Sequence, residues 1–452
     1  MKPLISFLFF FGLLGQLSIA QSLPHTDPEI HKMVAEVKAE NLEKYVRQLA
    51  SYGTRHSLSD TKSKTRGIGA AQQYVLSQFN EFAKASNGRM TASLDYYWVP
   101  ADNRRIPKDS KLANVMAVLK GTDPQDDRVF IISGHLDSRA SDVMNATIDA
   151  PGANDDASGV AAVMELARIM ASRPFPATII FVAVSGEEQG LLGARHLADS
   201  AKAENWNVVA MLNNDMIGNS TSSGTNLHDN TQVRIFSETI PYVESESDIR
   251  NRKYTNGDND SDSRNLARYI KTVTQNYVEQ LDIKLVYRND RYLRGGDHTP
   301  FSQNGFAAVR YCEINENYYH QHQDVRKEEG IQYGDLPEFM DFEYARKICA
   351  SNLATLASLA SAPYAPQEVG IEVTELTNFS TLRWKAPAKG ASPYGYQILI
   401  RETSSPHWEK AIFVKETTVT LPYSKDNYFF AVQSVDEKGN ASLPEWPLPI
   451  RN

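Results

Sequence analysis

The feature that most limits what this chain can become is a recurrence between residues 129 and 219, in which an apolar run ends in acidic or imidazole side chains and another apolar run follows. VFIISGHLDSR (residues 129–139) ends in His135 and Asp137, TIIFVAVSGEEQG (178–190) in Glu187 and Glu188, and VVAMLNNDMIGN (208–219) carries Asp215. Between the first two lies PGANDDASG (151–159), with Asp155 and Asp156, followed by a stretch where Val160, Val163, Met164, Ala167 and Met170 repeat with helical period. Short apolar runs separated by a helical segment read as buried strands of a largely parallel sheet covered on both faces. The expected fold class is therefore α/β, a mostly parallel central sheet flanked by helices. In such sheets the ligand crevice lies beyond the carboxyl ends of the strands, where His135, Asp137, Glu187, Glu188 and Asp215 all fall. Burying that many carboxylates together is costly unless something neutralises them. One or two divalent cations would do so.

The flanking sequence supports a two-domain chain. Residues 28–51 read as one amphipathic helix ended by Gly53, residues 66–85 as a second, and residues 91–99 and 112–119 as strands. Asp155, at the head of the helical stretch that begins at Ala157, has a bland reading as its N-terminal cap. Residues 220–294 are polar and insertion-like, with a charged loop at 256–265 and a helix near 266–281. The DNDSD run there lacks the central glycine and closing glutamate of a calcium loop and reads as solvated. A strand at 306–311 and a helix at 342–360 close this part. After Pro363 and Pro366 the texture changes to strand-like alternation with turn signals, as expected of a small β-sandwich. It resembles a fibronectin type III domain, with Trp384 as core tryptophan and Tyr428 as the tyrosine corner. The expected division is a signal peptide at 1–20, a catalytic domain at 21–362, a linker at 363–367 and the sandwich at 368–452.

Residues 1–20 carry one lysine, an apolar centre and small residues before Gln21, the pattern of a secretory signal peptide, so an exported, periplasmic or extracellular protein is expected. Its removal takes the formal charge from −8 to −9, because Lys2 is its one charged side chain. An acidic chain argues against nucleic acid as partner, and no later stretch is long enough to span a membrane. The two cysteines, Cys312 and Cys349, read equally as a disulfide or as two buried thiols.

Each acidic patch alone is weak, but their order is specific: His135-x-Asp137, Asp155, Glu187-Glu188, Asp215, then a histidine in Y-H-x-x-x-D, His320 with Asp324. This order resembles the di-zinc aminopeptidases of metallopeptidase family 28, a group that also holds glutaminyl cyclases and glutamate carboxypeptidases. The likeness runs over residues 30–360. It implies two Zn2+ bridged by Asp155, one completed by His135 and Asp215 and the other by Glu188 and His320, with His322 as the rival to His320. Mixed imidazole and carboxylate ligands suit zinc, and manganese or cobalt fit them too. Asp137 is spaced to accept the second N–H of His135, and Asp324 to do likewise for His320. Glu187 is then the general base that activates a metal-bridging water, and His298 in GGDHTPF is a candidate donor to the oxyanion, with a loop histidine held by Asp297 as its equal alternative.

The implied activity is zinc-dependent removal of N-terminal residues from peptides. A glutaminyl cyclase or a carboxypeptidase are the alternatives on the same scaffold, and a non-catalytic surface-binding protein is the alternative from another class. The sandwich reads as a binder of glycan or protein, or as a spacer.

Overall fold

In the computed structural model, which describes Leu23 and residues 26–450, the apolar run that ends in His135 is a central strand of an eight-stranded sheet. The expected signal peptide lies outside the described residues. Helices α1 (Pro28–Ala35), α2 (Ala39–Ala50) and α3 (Gly67–Ala83) precede the hairpin of β1 (Met90–Val99) and β2 (Ser110–Leu119), which leads into β3 (Arg128–His135). Then come α4 (Ala157–Met170), β4 (Thr178–Val184), α5 (Leu192–Ala203), β5 (Asn207–Asn214), β6 (Gln232–Ser237), α6 (Glu246–Thr255) and α7 (Asp262–Tyr277). The unit is completed by β7 (Asp282–Val286), α8 (His298–Gln303), β8 (Ala308–Glu313), the small hairpin β9 (Arg326–Glu328) and β10 (Ile331–Tyr333), and α9 (Phe342–Ser361).

The sheet order is β1-β2-β4-β3-β5-β8-β6-β7. Strands β4, β3, β5 and β8 pair in parallel, whereas β2 is antiparallel to both its neighbours and β6 is antiparallel to β8. The sheet is thus mixed, with the expected parallel order at its centre. Side chains alternate across it. Phe130 and Ile132 of β3 face a core shared with α4 and α9, and Ile131 between them faces a second core made with α5 and Phe301 of α8. Burial on both faces explains why β3 has no polar alternation in sequence.

Two expectations change and one open choice is settled. Residues 28–51 form two helices, because Glu165 of α4, paired with Arg168, also accepts the backbone N–H of Lys38 and the amide of Asn41, turning the chain between α1 and α2. The polar segment 220–294 is more than an insertion, since its β6 and β7 extend the main sheet. Cys312 and Cys349 are both buried and unpaired.

Beyond α9, strands β11 (Gln367–Glu372), β12 (Ser380–Lys385), β13 (Gly395–Glu402), β14 (Lys410–Val414), β15 (Thr418–Leu421), β16 (Tyr428–Val435) and β17 (Leu448–Ile450) form two sheets, ordered β15-β12-β11-β17 and β14-β13-β16. They enclose one core that includes Leu382, Trp384, Tyr396, Ile398 and Phe430. This part is tied to the larger unit by a buried ion pair: Arg401 Nη2 lies 2.7 Å from both oxygens of Asp260, which also accepts from Arg268 at 2.8 Å. Removing one member of a buried pair costs about 3–5 kcal/mol. Asp260→Ala, which strands two guanidinium groups, should therefore lower the urea midpoint clearly, and Arg401→Met should lower it less. Tryptophan fluorescence would follow both, and an unchanged midpoint for Asp260→Ala would mean the contact is not formed in solution.

Candidate metal centre

Three neighbouring parallel strands deliver the site. His135 is the last residue of β3, Glu187 and Glu188 lie in the turn after β4, and Asp215 follows β5 directly. The helix cap is Asp156, not Asp155: its Oδ1 accepts from Gly159 N at 2.9 Å and Met216 N at 3.2 Å, and its Oδ2 from His135 N at 2.9 Å. One carboxylate therefore joins the ends of β3, β5 and α4. Asp155 is left free to face the site.

Asp155 stands between two imidazoles. Its Oδ1 is 3.0 Å from His135 Nε2 and its Oδ2 is 3.0 Å from His322 Nε2. His135 Nε2 also lies 3.8 Å from Asp215 Oδ1, and His322 Nε2 lies 3.0 Å from Glu188 Oε1. Two groups of potential ligand atoms result, each within 4.8 Å: His135, Glu187 and Asp215, and Asp155, Glu188 and His322. Burial, and the charges of Glu188 and Asp215, push the Glu187 carboxyl well above its ordinary range. Burial opposes a charged His322, but Glu188 and Asp155 outweigh it and push the imidazole up to about 10. Such mutual dependence is what a cluster of acids and imidazoles shows when only protons are at hand to neutralise it. Glu188 Oε1 is buried and accepts no well-directed hydrogen bond even with His322 so close. That orphaned oxygen, and a donor set of two imidazoles and several carboxylates, fit two ions of the zinc type.

The remaining acids position these. Asp137 does not take the second N–H of His135 on its carboxylate, which is 3.8 Å away; its backbone carbonyl takes it, at 3.0 Å. With Nδ1–H donating there, Nε2 presents its lone pair to the site. The Asp137 carboxylate instead accepts the backbone N–H groups of Gly186, Glu187 and Glu188 at 3.0–3.2 Å, and Ser57 Oγ at 2.9 Å, so it fixes the turn that carries both glutamates. Asp335 accepts Asn154 N and Asp155 N, and Arg310 pairs with Asp215 at 2.8 Å. Gln321 donates to Asp155 Oδ2 at 3.1 Å. Asp335 and Arg310 have no recognisable spacing to the ligands, and Gln321, though it directly precedes His322, carries no signal of its own; sequence reasoning missed all three.

Two expected residues fall elsewhere. His320 does not reach the cluster. The turn that begins at Asn317 carries it away to stack on Phe339, with centroids 4.0 Å apart, while His322, at φ 56°, enters the site. Burial lowers His320 to about 4. Asp324 pairs with Ser141 and Arg326, not with either histidine. His298, the first residue of α8, is wholly buried and its Nε2 donates to Asn289 O at 2.7 Å, so it does not line the cleft as an oxyanion donor would. The histidine is held by the Asn289 carbonyl, with the Asp290 carboxylate 3.7 Å away, rather than by Asp297.

The family model described as peptidase family M28 matches residues 114–341. A protein of Leptosphaeria maculans named a probable zinc metalloprotease is 44% identical over 427 residues, covering 94% of this chain and 98% of its own. One of the same description from Pyricularia oryzae is 42% identical over 437 residues, covering 95% and 86%. Among solved structures, the LapA aminopeptidase of Legionella pneumophila aligns with a TM-score of 0.51 at 19% identity, over 74% of this chain and 75% of its own. An aminopeptidase from Aneurinibacillus sp. strain AM-1 aligns with a TM-score of 0.50 at 14% identity, over 73% and 96%. At such identities the likeness is one of fold.

The two histidines separate in a direct test. After reconstitution with zinc, His322→Ala should bind about one equivalent fewer than the unaltered protein, since losing a ligand from a small set removes most of the affinity. His320→Ala should bind the full complement. Metal analysis after gel filtration reads both, and the opposite pattern would return His320 to the site.

Proposed function

The chain belongs to peptidase family M28 and is a metallopeptidase, and from that premise we propose that it is an exported zinc aminopeptidase that releases N-terminal residues from peptides. The observation that carries the reading is Asp155 held between His135 and His322, with Glu187 beside them on the cleft wall. Asp155 would be shared by two ions, with His135 and Asp215 on one side and Glu188 and His322 on the other. Zinc bound there would supply Lewis acidity, lowering the pKa of a water and polarising the scissile carbonyl.

Glu187 is the proton carrier. Both glutamates line the cleft, but Glu188 is buried and faces His322, whereas Glu187 is only part-buried and can reach a substrate. It takes the proton of the attacking water and returns it to the leaving amine. Asp137 keeps Glu187 in place through the backbone N–H at 3.2 Å. Export rests on the leader-like residues 1–20, and among the described residues no helix is long and apolar enough to cross a membrane. The sandwich reads as fibronectin type III-like, supported by its seven strands in two sheets and by Trp384 packed edge-on to Tyr396 at 5.3 Å.

Glu187→Gln should lower kcat on an N-terminally free peptide by about 10²- to 10⁴-fold, the usual worth of a positioned general base, with zinc content unchanged. Loss of metal together with activity would mean that the two adjacent glutamates have exchanged roles.

A further inference from the structure

The cleft carries a charge pattern that peptide hydrolysis does not itself require. Its volume is about 280 Å³, and four guanidinium groups line it: Arg105 from the β1–β2 connection, Arg139 just beyond β3, and Arg291 and Arg294 from the segment before α8. Arg291 and Arg294 both pair with Glu316, at 3.1 and 3.3 Å, and that carboxylate also takes Arg234 at 2.8 Å. Three cations thus share Glu316, with Asp290 as a further partner of Arg291 at 3.3 Å. Arg105 and Arg139 meet no carboxylate among the described residues. Arg105 donates to the Glu188 carbonyl, and Arg139 to the carbonyls of Ala140 and Ser141 at 3.2 and 3.3 Å.

The balance of charge follows from the two-metal reading of the preceding subsection, on which this inference rests. Two divalent cations offset the carboxylates of Asp155, Glu187, Glu188 and Asp215, so the arginines on the walls become an excess of positive charge. A planar guanidinium with N–H groups to spare, in a confined cleft, is suited to a carboxylate. We infer that the cleft selects peptides bearing a carboxylate close to the scissile bond, received by Arg139 and Arg105. A peptide can supply that group in two ways, as an Asp or Glu side chain or as the α-carboxylate of a very short peptide.

The test is a binding measurement on the zinc-loaded Glu187→Gln protein, by calorimetry, with two matched pairs: leucylglycine against its amide, and glutamyl-leucine amide against leucyl-leucine amide. The member bearing the carboxylate should bind about tenfold to a hundredfold more tightly in at least one pair, the range for a hydrogen bond to a charged group. The first pair reports the terminal carboxylate and the second the side chain. The advantage should shrink to less than about threefold when Arg139→Gln is added, and likewise with Arg105→Gln, at unchanged zinc content and circular dichroism. Equal binding in both pairs, or an advantage that survives loss of both arginines, would overturn the inference. Hydrolysis of the same peptides by the unaltered protein is read separately. Cleavage of neutral and acidic peptides at equal kcat/KM would leave an aminopeptidase and remove its carboxylate selectivity. No cleavage of any peptide would remove the aminopeptidase reading, while the binding ratios still decide for or against the arginines.

Discussion

The arrangement depends on buried carboxylates that accept backbone N–H groups at the ends of the central strands. Asp137 takes those of Gly186, Glu187 and Glu188; Asp156 takes those of His135, Gly159 and Met216; Asp335 takes those of Asn154 and Asp155. Each of these acids fixes loops that would otherwise turn freely. The acids that face the cleft are thus held by acids that do not. A site assembled in this way keeps its spacing without relying on the ligands' own mutual contacts.

Holding them still does not remove their repulsion. Asp155, Glu187, Glu188 and Asp215 line one cleft, and the protein's own cations answer only part of that charge. Arg310, wholly buried, pairs with Asp215 at 2.8 Å and Asp290 at 3.1 Å, and the surrounding acids push both imidazoles towards their charged form. Divalent ions would replace those protons, so metal binding and the stability of the strand ends are expected to rise together. The arginines at the cleft mouth lie outside this balance and are left to act on what enters.

Much of this could be read from the amino acids. The runs that became β3, β4 and β5 are apolar throughout because both faces are covered, and their ends place His135, Glu187, Glu188 and Asp215 on one rim. What escaped reading has local physical causes. His320 and His322 are two residues apart in a turn, where no period fixes which side chain points inward, and the left-handed backbone at His322 settled it. Asp155 and Asp156 are adjacent acids at a helix start, and only the geometry shows which one caps. Strands β6 and β7 are short, lie at the margin of the sheet and sit among polar loops, so their pairing left little trace in sequence. Asp335 and Arg310 act through folding, from far along the chain.

If these residues form a metal centre that works on peptide N-termini, the reaction must depend both on the free amine and on the metal. The most direct measurement is mass spectrometry of products from peptides with free and with acetylated N-termini, incubated with the protein with and without chelator. The expected result is stepwise shortening from the N-terminus of the free peptides alone, abolished by chelator and restored by zinc. Shortening from the other end, loss of ammonia from a glutamine N-terminus without hydrolysis, or cleavage that persists with metal removed would contradict it.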